Sequence, residues 1–105
     1  RGRGESGPRS LGNRALLGSA ARKGMRRTLS EELKGREWIR PLAPVITEEN
    51  FRRHFGDDRL ARYMLAQRAV AHRPDFAEAT HADGSARIQS LRSHENAFLH
   101  ETLVE

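Results

Sequence analysis

Apolar positions in this chain come in short groups, and their spacing predicts a succession of small elements. Met25, Leu29 and Leu33 fall four apart, which puts them on one face of a helix over about residues 22–34, with Gly35 placed to stop it. Pro41 and Pro44 disfavour further helix, and Val45-Ile46 reads as a short strand. Thr47 can cap a second helix through about Phe55, where Phe51 and Phe55 pair at i, i+4 and Gly56 ends it. The stretch 14–18 holds Ala15-Leu16-Leu17, too short to classify by period and consistent with a buried strand.

In the second half, Tyr63, Leu65 and Val70 favour a strand over 62–70, since aromatic and β-branched side chains fit a pleated surface. Residues 72–80 contain Pro74 and read as a connection. Asp83-Gly84 then supplies a turn into a strand over 85–91, with Arg87 on the face opposite Ile88. Ser93 can cap a last helix in which Leu99 and Leu103 repeat at i, i+4 and Phe98 widens the apolar face. Phe51, Phe55, Phe98 and the leucines are the expected core, and Trp38 is expected to cover its edge. Before all of this, glycines at 2, 4, 7 and 12 with Pro8 predict an irregular loop.

Composition allows one small domain with a modest core: 105 residues, 36% hydrophobic and 31% charged. That balance calls for a partner or a further segment to complete it. The chain opens on Arg1-Gly2-Arg3-Gly4, and a fragment truncated at both ends is the expectation. Cys is absent, which excludes disulfides and thiolate metal sites and is compatible with a reducing cytoplasm. No apolar run approaches the roughly 18 residues of a membrane span. The net charge of +5 is unevenly spread, because residues 1–40 hold 11 Lys or Arg against four acids and residues 41–105 hold eight against ten. The positive field therefore belongs to the first part.

Within and beyond that field, three signatures set cations beside Gly or Pro. They are Gly7-Pro8-Arg9-Ser10-Leu11-Gly12-Asn13-Arg14, then Lys34-Gly35-Arg36-Glu37-Trp38-Ile39-Arg40-Pro41-Leu42-Ala43-Pro44, then His81-Ala82-Asp83-Gly84-Ser85-Ala86-Arg87. A guanidinium is a planar fork that matches phosphate and carboxylate oxygens, and a stiff or tightly turned backbone holds it still. The combination reads as an anion site. Other roles fit other residues better: Glu37 can pair with a neighbouring Arg, and His81 with Asp83 can shape the turn before Arg87. Two such groups without a third make a poor metal site. His54, His72, His94 and His100 have no identifiable partners and read as surface or packing residues.

In this order the signatures resemble the C-terminal domain of the carbamoyltransferase family that includes the nodulation-factor and antibiotic O-carbamoyltransferases. The resemblance implies an α/β, YrdC-like domain, here partial, with a twisted mixed sheet and flanking helices. It implies that ATP, with magnesium, and carbamoyl phosphate meet there to form carbamoyl-adenylate. A preceding kinase-like domain, which holds the family's metal site, then passes the carbamoyl group to an acceptor hydroxyl. On the matching positions Lys34 and Arg40 fall in the catalytic place, and Arg9, Arg14, Arg36 and Arg87 around the nucleotide and carbamoyl phosphate, with no metal ligand among them.

Ser6, Ser10, Ala15 and Ile39 depart from the family's residues, and Gly18-Ser19-Ala20 stands where Ala-Asp-Pro is usual, yet every named cation is kept. Alone, the fragment is expected to transfer little or no carbamoyl. Two alternatives stay open, a basic nucleic-acid-binding module and an inactive nucleotide-binding remnant. The first would use residues 1–27, where eight cations face only Glu5. That stretch lacks the aromatic interleaving on which bases stack, which argues against nucleic acid.

Overall fold

The computed structural model describes residues 12–13, 15–70 and 72–104. Four short strands, β1 (Val45–Thr47), β2 (Arg68–Ala69), β3 (Ser85–Ala86) and β4 (Gln89–Leu91), form two separate two-stranded ladders, not the single mixed sheet expected. β1 and β4 run parallel with Val45 opposite Gln89 and Thr47 opposite Leu91. β2 and β3 run antiparallel with Arg68 opposite Ala86. The stretch 85–91, expected as one strand, changes partner at Arg87 and Ile88 and so serves both ladders. Ile88 is fully buried there while Arg87 is half-buried, in keeping with opposite faces.

The helix after β1, α2 (Glu48–Phe55), forms as its residues dictate. Thr47 Oγ1 accepts the Asn50 N–H at 3.3 Å, Glu48 and Glu49 occupy the first turn, and Arg52, Arg53 and His54 the last, in the sense that the helix dipole favours. Gly56 ends it at φ 82°, a conformation that any Cβ would strain. On its inner face Phe51 and Phe55 stack at 5.3 Å, and Phe55 meets the edge of Phe76. Phe51, Ala61, Val70, Phe76, Ala86 and Ile88 form the core, with Ile46 and Phe55 packed on it. The radius of gyration, 13.2 Å, matches the ~13 Å of a compact chain this long.

Other elements differ from the pattern. Only Met25–Arg27 of the first helix, α1, is α-helical, and it passes into a π-helical turn over Thr28–Leu33. In that looser winding each N–H reaches five residues back, which rotates Leu33 off the face set by Met25 and Leu29. Leu29 is buried and Leu33 is exposed. Residues 15–19 form no strand; Gly18 lies so close to α1 that a Cβ there would overlap Met25 Sδ. The stretch 62–70 is mostly turn: Ala61–Tyr63 is a 3₁₀ helix, Met64 takes a left-handed φ of 58°, and the Leu65 N–H closes back on the Leu60 carbonyl at 2.9 Å. That closure leaves only two residues to extend, whatever the strand preference of Tyr63 and Leu65. Residues 72–80, read as a connection, contain a 3₁₀ helix over Pro74–Ala79, with Pro74 in its first turn where no N–H is needed.

The last helix, α3 (Ala97–Val104), is capped by Asn96 and not by Ser93. Asn96 Oδ1 takes the Leu99 N–H at 3.1 Å, while Ser93 lies in the turn before it. Leu99 is buried, but Phe98 is exposed and does not join the core. Among the described residues no helix is long and apolar enough to cross a membrane.

Candidate anion site

The second signature follows directly from the π turn. Lys34 closes that turn, and Gly35 at φ 59° redirects the chain, as its place after the apolar repeat predicted. The Arg36 N–H reaches back to the Ser30 carbonyl at 2.9 Å, and the Arg40 N–H closes a turn on the Glu37 carbonyl at 3.2 Å. Cations at 34, 36 and 40 are thus gathered around one tight excursion of backbone. Burial, then the neighbouring Arg36 charge, hold the Lys34 ammonium below its ordinary pKa. Both causes disfavour a cation there, and an anion between Lys34 and Arg36 would offset them.

Five arginines elsewhere are neutralised by carboxylates. Arg27 pairs with Glu31 at 2.7 Å, Arg59 with Asp57 at 2.7 Å, and Arg62 with Glu95. Arg52 spans Glu48 at 2.7 Å and Asp58 at 3.2 Å, and Arg92 spans Glu48 at 3.1 Å and Asp58 at 3.5 Å. Asp58, 2% exposed, also takes the Ser90 hydroxyl at 3.3 Å. Burial alone would raise the Asp58 pKa, but the hydrogen bond and charge of Arg52, with the charge of Arg92, outweigh it and hold the carboxyl below its ordinary range. By contrast Lys34, Arg36 and Arg40 pair with no carboxylate among the described residues. Ser30 Oγ and Arg36 Nε, both buried, have no hydrogen-bond partner there either. A buried polar atom left so is costly and uncommon.

The third signature reaches the same end of the parallel ladder. The Pro44 carbonyl, last of the second signature, takes the Gln89 N–H at 2.8 Å, two residues beyond Arg87. Because β1 and β4 are parallel, the segments carrying Arg40 and Arg87 enter the ladder side by side. His81 and Asp83 shape the turn through Ser85, whose Oγ donates to Asp83 Oδ1 at 2.6 Å and lies 3.3 Å from His81 Nδ1. Of the first signature, Arg9 and Arg14 lie outside the described residues. Its Asn13 accepts from Asn96 Nδ2 at 3.0 Å, and Gly12 packs on Leu99, so this end is fastened to α3.

Three expectations fail. Glu37 makes no ion pair among the described residues, since its carbonyl and not its carboxylate holds the turn. Trp38 is 53% exposed and does not cover the core, because the turn carries it outward with Ile39, 65% exposed. Leu33, expected to pack, is exposed beside them. Conversely, Arg26 was overlooked. Its backbone N–H donates to Glu78 Oε2, its Nε to the Glu78 carbonyl at 2.7 Å and its Nη2 to the Thr80 carbonyl at 2.6 Å. It straps the helix that ends at Lys34 to the segment that begins the third signature. Arg26 has no acid one helical turn away to occupy it, the one hint in the sequence.

A recess of about 520 Å³ lined by Arg52, Gly56, Asp57, Asp58, Arg59 and Arg92 contains none of the candidate cations. Its arginines are already engaged by carboxylates, so it reads as a seam of the structural ion-pair cluster. Among the described residues no group of three His, Asp or Glu is placed to hold a metal ion.

The structure thus defines a small α/β domain in which Lys34, Arg36 and Arg40, without carboxylates among the described residues, lead into the first strand of a parallel ladder. The chain belongs to the family described as "Carbamoyltransferase C-terminus", which it matches over residues 1–105. It is 41% identical over 102 residues to a 3'-hydroxymethylcephem-O-carbamoyltransferase of Amycolatopsis lactamdurans, and equally so to one of Streptomyces clavuligerus. Each match covers 97% of this chain and 19% of the relative. Nodulation protein U of Sinorhizobium fredii is 36% identical over 106 residues, 99% of this chain and 19% of that protein. The chain therefore spans about a fifth of the length of these relatives.

Proposed function

We propose that this chain is the C-terminal, YrdC-like part of a cytoplasmic carbamoyltransferase, truncated at both ends, and that its second and third signatures bind carbamoyl phosphate and ATP. The observation that carries the reading is a contrast in pairing: Lys34, Arg36 and Arg40, set within seven residues, lack carboxylates among the described residues, while Arg27, Arg52, Arg59, Arg62 and Arg92 have them. Unpaired cations held on a tight turn are what two polyanionic substrates require. Water releases carbamate and phosphate from carbamoyl phosphate, and the carbamate oxygen then attacks the α-phosphorus of ATP, expelling pyrophosphate to give carbamoyl-adenylate; Lys34 and Arg40 offset the repulsion between these anions and the charge that gathers on the phosphoryl oxygens. Arg36 and Arg87, with Arg9 and Arg14 from the first signature, hold the remaining oxygens. Magnesium would ride mainly on the phosphates, as this ion commonly does. Transfer from the adenylate to an acceptor hydroxyl falls to the kinase-like domain of the longer polypeptide.

The test is adenylate formation by a full-length protein carrying this chain, followed as ATP–pyrophosphate exchange dependent on carbamoyl phosphate. Lys34→Ala and Arg40→Ala should each lower the rate by about 100-fold, the usual effect of losing a preorganised charge at a reacting centre. Unchanged exchange in both variants, or no binding of either substrate by calorimetry, would remove the proposal.

A further inference from the structure

Resting on the anion-site reading above, we infer that Trp38 is the platform on which the nucleotide's purine ring stacks while its phosphates face Lys34, Arg36 and Arg40. Trp38 and Ile39 occupy the two central positions of the turn closed by the Arg40 N–H on the Glu37 carbonyl. The end residues of such a turn, here Glu37 and Arg40, stand within about 7 Å of each other, so the apolar tip lies beside Arg40, with Arg36 one residue before the turn. An indole gains most from being covered, yet this one is 53% exposed and its neighbour Ile39 is 65% exposed.

Exposed apolar side chains occur elsewhere, at Leu60 and Leu65, but their neighbours Arg59 and Arg62 are neutralised by Asp57 and Glu95. The turn at 37–40 alone combines an open ring with cations that lack carboxylates among the described residues. A protein surface seated on it would have to bury those charges or supply acids to meet them. A nucleotide brings both complements in one molecule, a flat π face and an anionic tail. Base stacking on an aromatic side chain is tolerant of base identity and raises affinity by roughly tenfold or more.

The experiment uses a full-length protein carrying this chain, with the fluorescence of Trp38, the single tryptophan of these 105 residues, read as the difference between the parent and Trp38→Phe. ATP and inorganic tripolyphosphate are titrated separately by calorimetry and by fluorescence. ATP should bind about tenfold more tightly than tripolyphosphate and quench Trp38, while tripolyphosphate binds without comparable quenching. Trp38→Ala should remove the advantage of ATP and leave tripolyphosphate affinity unchanged, and Trp38→Phe should restore most of it. If tripolyphosphate binds and ATP gains nothing over it, or if Trp38→Ala leaves their ratio intact, the stacking role is overturned and the anion site stands. If neither ligand binds, both readings are overturned together. Circular dichroism of each variant should be unchanged, since Trp38 contributes nothing to the core.

Discussion

Arginines do opposite things in two parts of this molecule. Around Asp58, Arg52 and Arg92 come from α2 and from the residue after β4 and close on two carboxylates, one of which also accepts the Ser90 hydroxyl, fixing helix to strand. On the turn after the π-helical segment, Lys34, Arg36 and Arg40 are held by backbone hydrogen bonds and given no acid. The first arrangement is complete in itself. The second lowers stability slightly through mutual repulsion and is useful only if something anionic arrives. What separates the two is the company each cation keeps, because the residue type is the same.

The sharpest way to break the comparison is to disable each region and read both stability and chemistry. Lys34→Ala and Arg40→Ala should cost about 100-fold in adenylate formation yet shift chemical denaturation by less than about 0.5 kcal/mol, as exposed positions do. Asp58→Asn should do the reverse. It should lose roughly 2 kcal/mol in urea denaturation, because two arginines are left facing a neutral group, while tripolyphosphate affinity stays the same. The acid limb should follow it. A carboxyl held below its unfolded pKa stabilises the fold above that value and loses the contribution as pH falls through its folded one. Asp58 is such a group, and so is Glu95, where burial is outweighed by the Arg92 N–H and Arg62. Stability should therefore decline below about pH 4, and less steeply in Asp58→Asn. Smaller again, Arg26→Ala should cost about 1 kcal/mol by releasing Glu78 and Thr80, and should weaken tripolyphosphate binding severalfold because the strap is shared by both signatures. Binding unchanged in that variant would show that the strap serves stability alone.

Much of this was legible from local chemistry. Thr47, Phe51, Phe55 and Gly56 specify α2 within ten residues, and Gly35 marks the turn that bears the cations. What escaped was settled only once the chain had folded. Leu33 and Trp38 read as core because apolar periodicity carries no information about a change in helical winding or about a turn that faces outward. The strand expected over 62–70 gave way to a 3₁₀ turn because Met64 accepts a left-handed backbone to bury its side chain, a trade invisible in propensity. Of the candidate site, the cations on the second and third signatures were visible by type and spacing, and their role is the proposal made above. Arg26 and Ser30 were not, since the partners of one and the solitude of the other exist only after folding.

The parallel pairing of Val45 with Gln89 joins residues more than forty positions apart. A ladder of that span cannot zip from a local nucleus, and the loop between must close before the pairing yields anything. α2, the 3₁₀ turns and the antiparallel ladder all lie within that loop. The segments carrying Arg40 and Arg87 therefore come alongside only when the stretch between them has settled, so in refolding the recovery of tripolyphosphate binding should lag behind that of the helical circular dichroism signal.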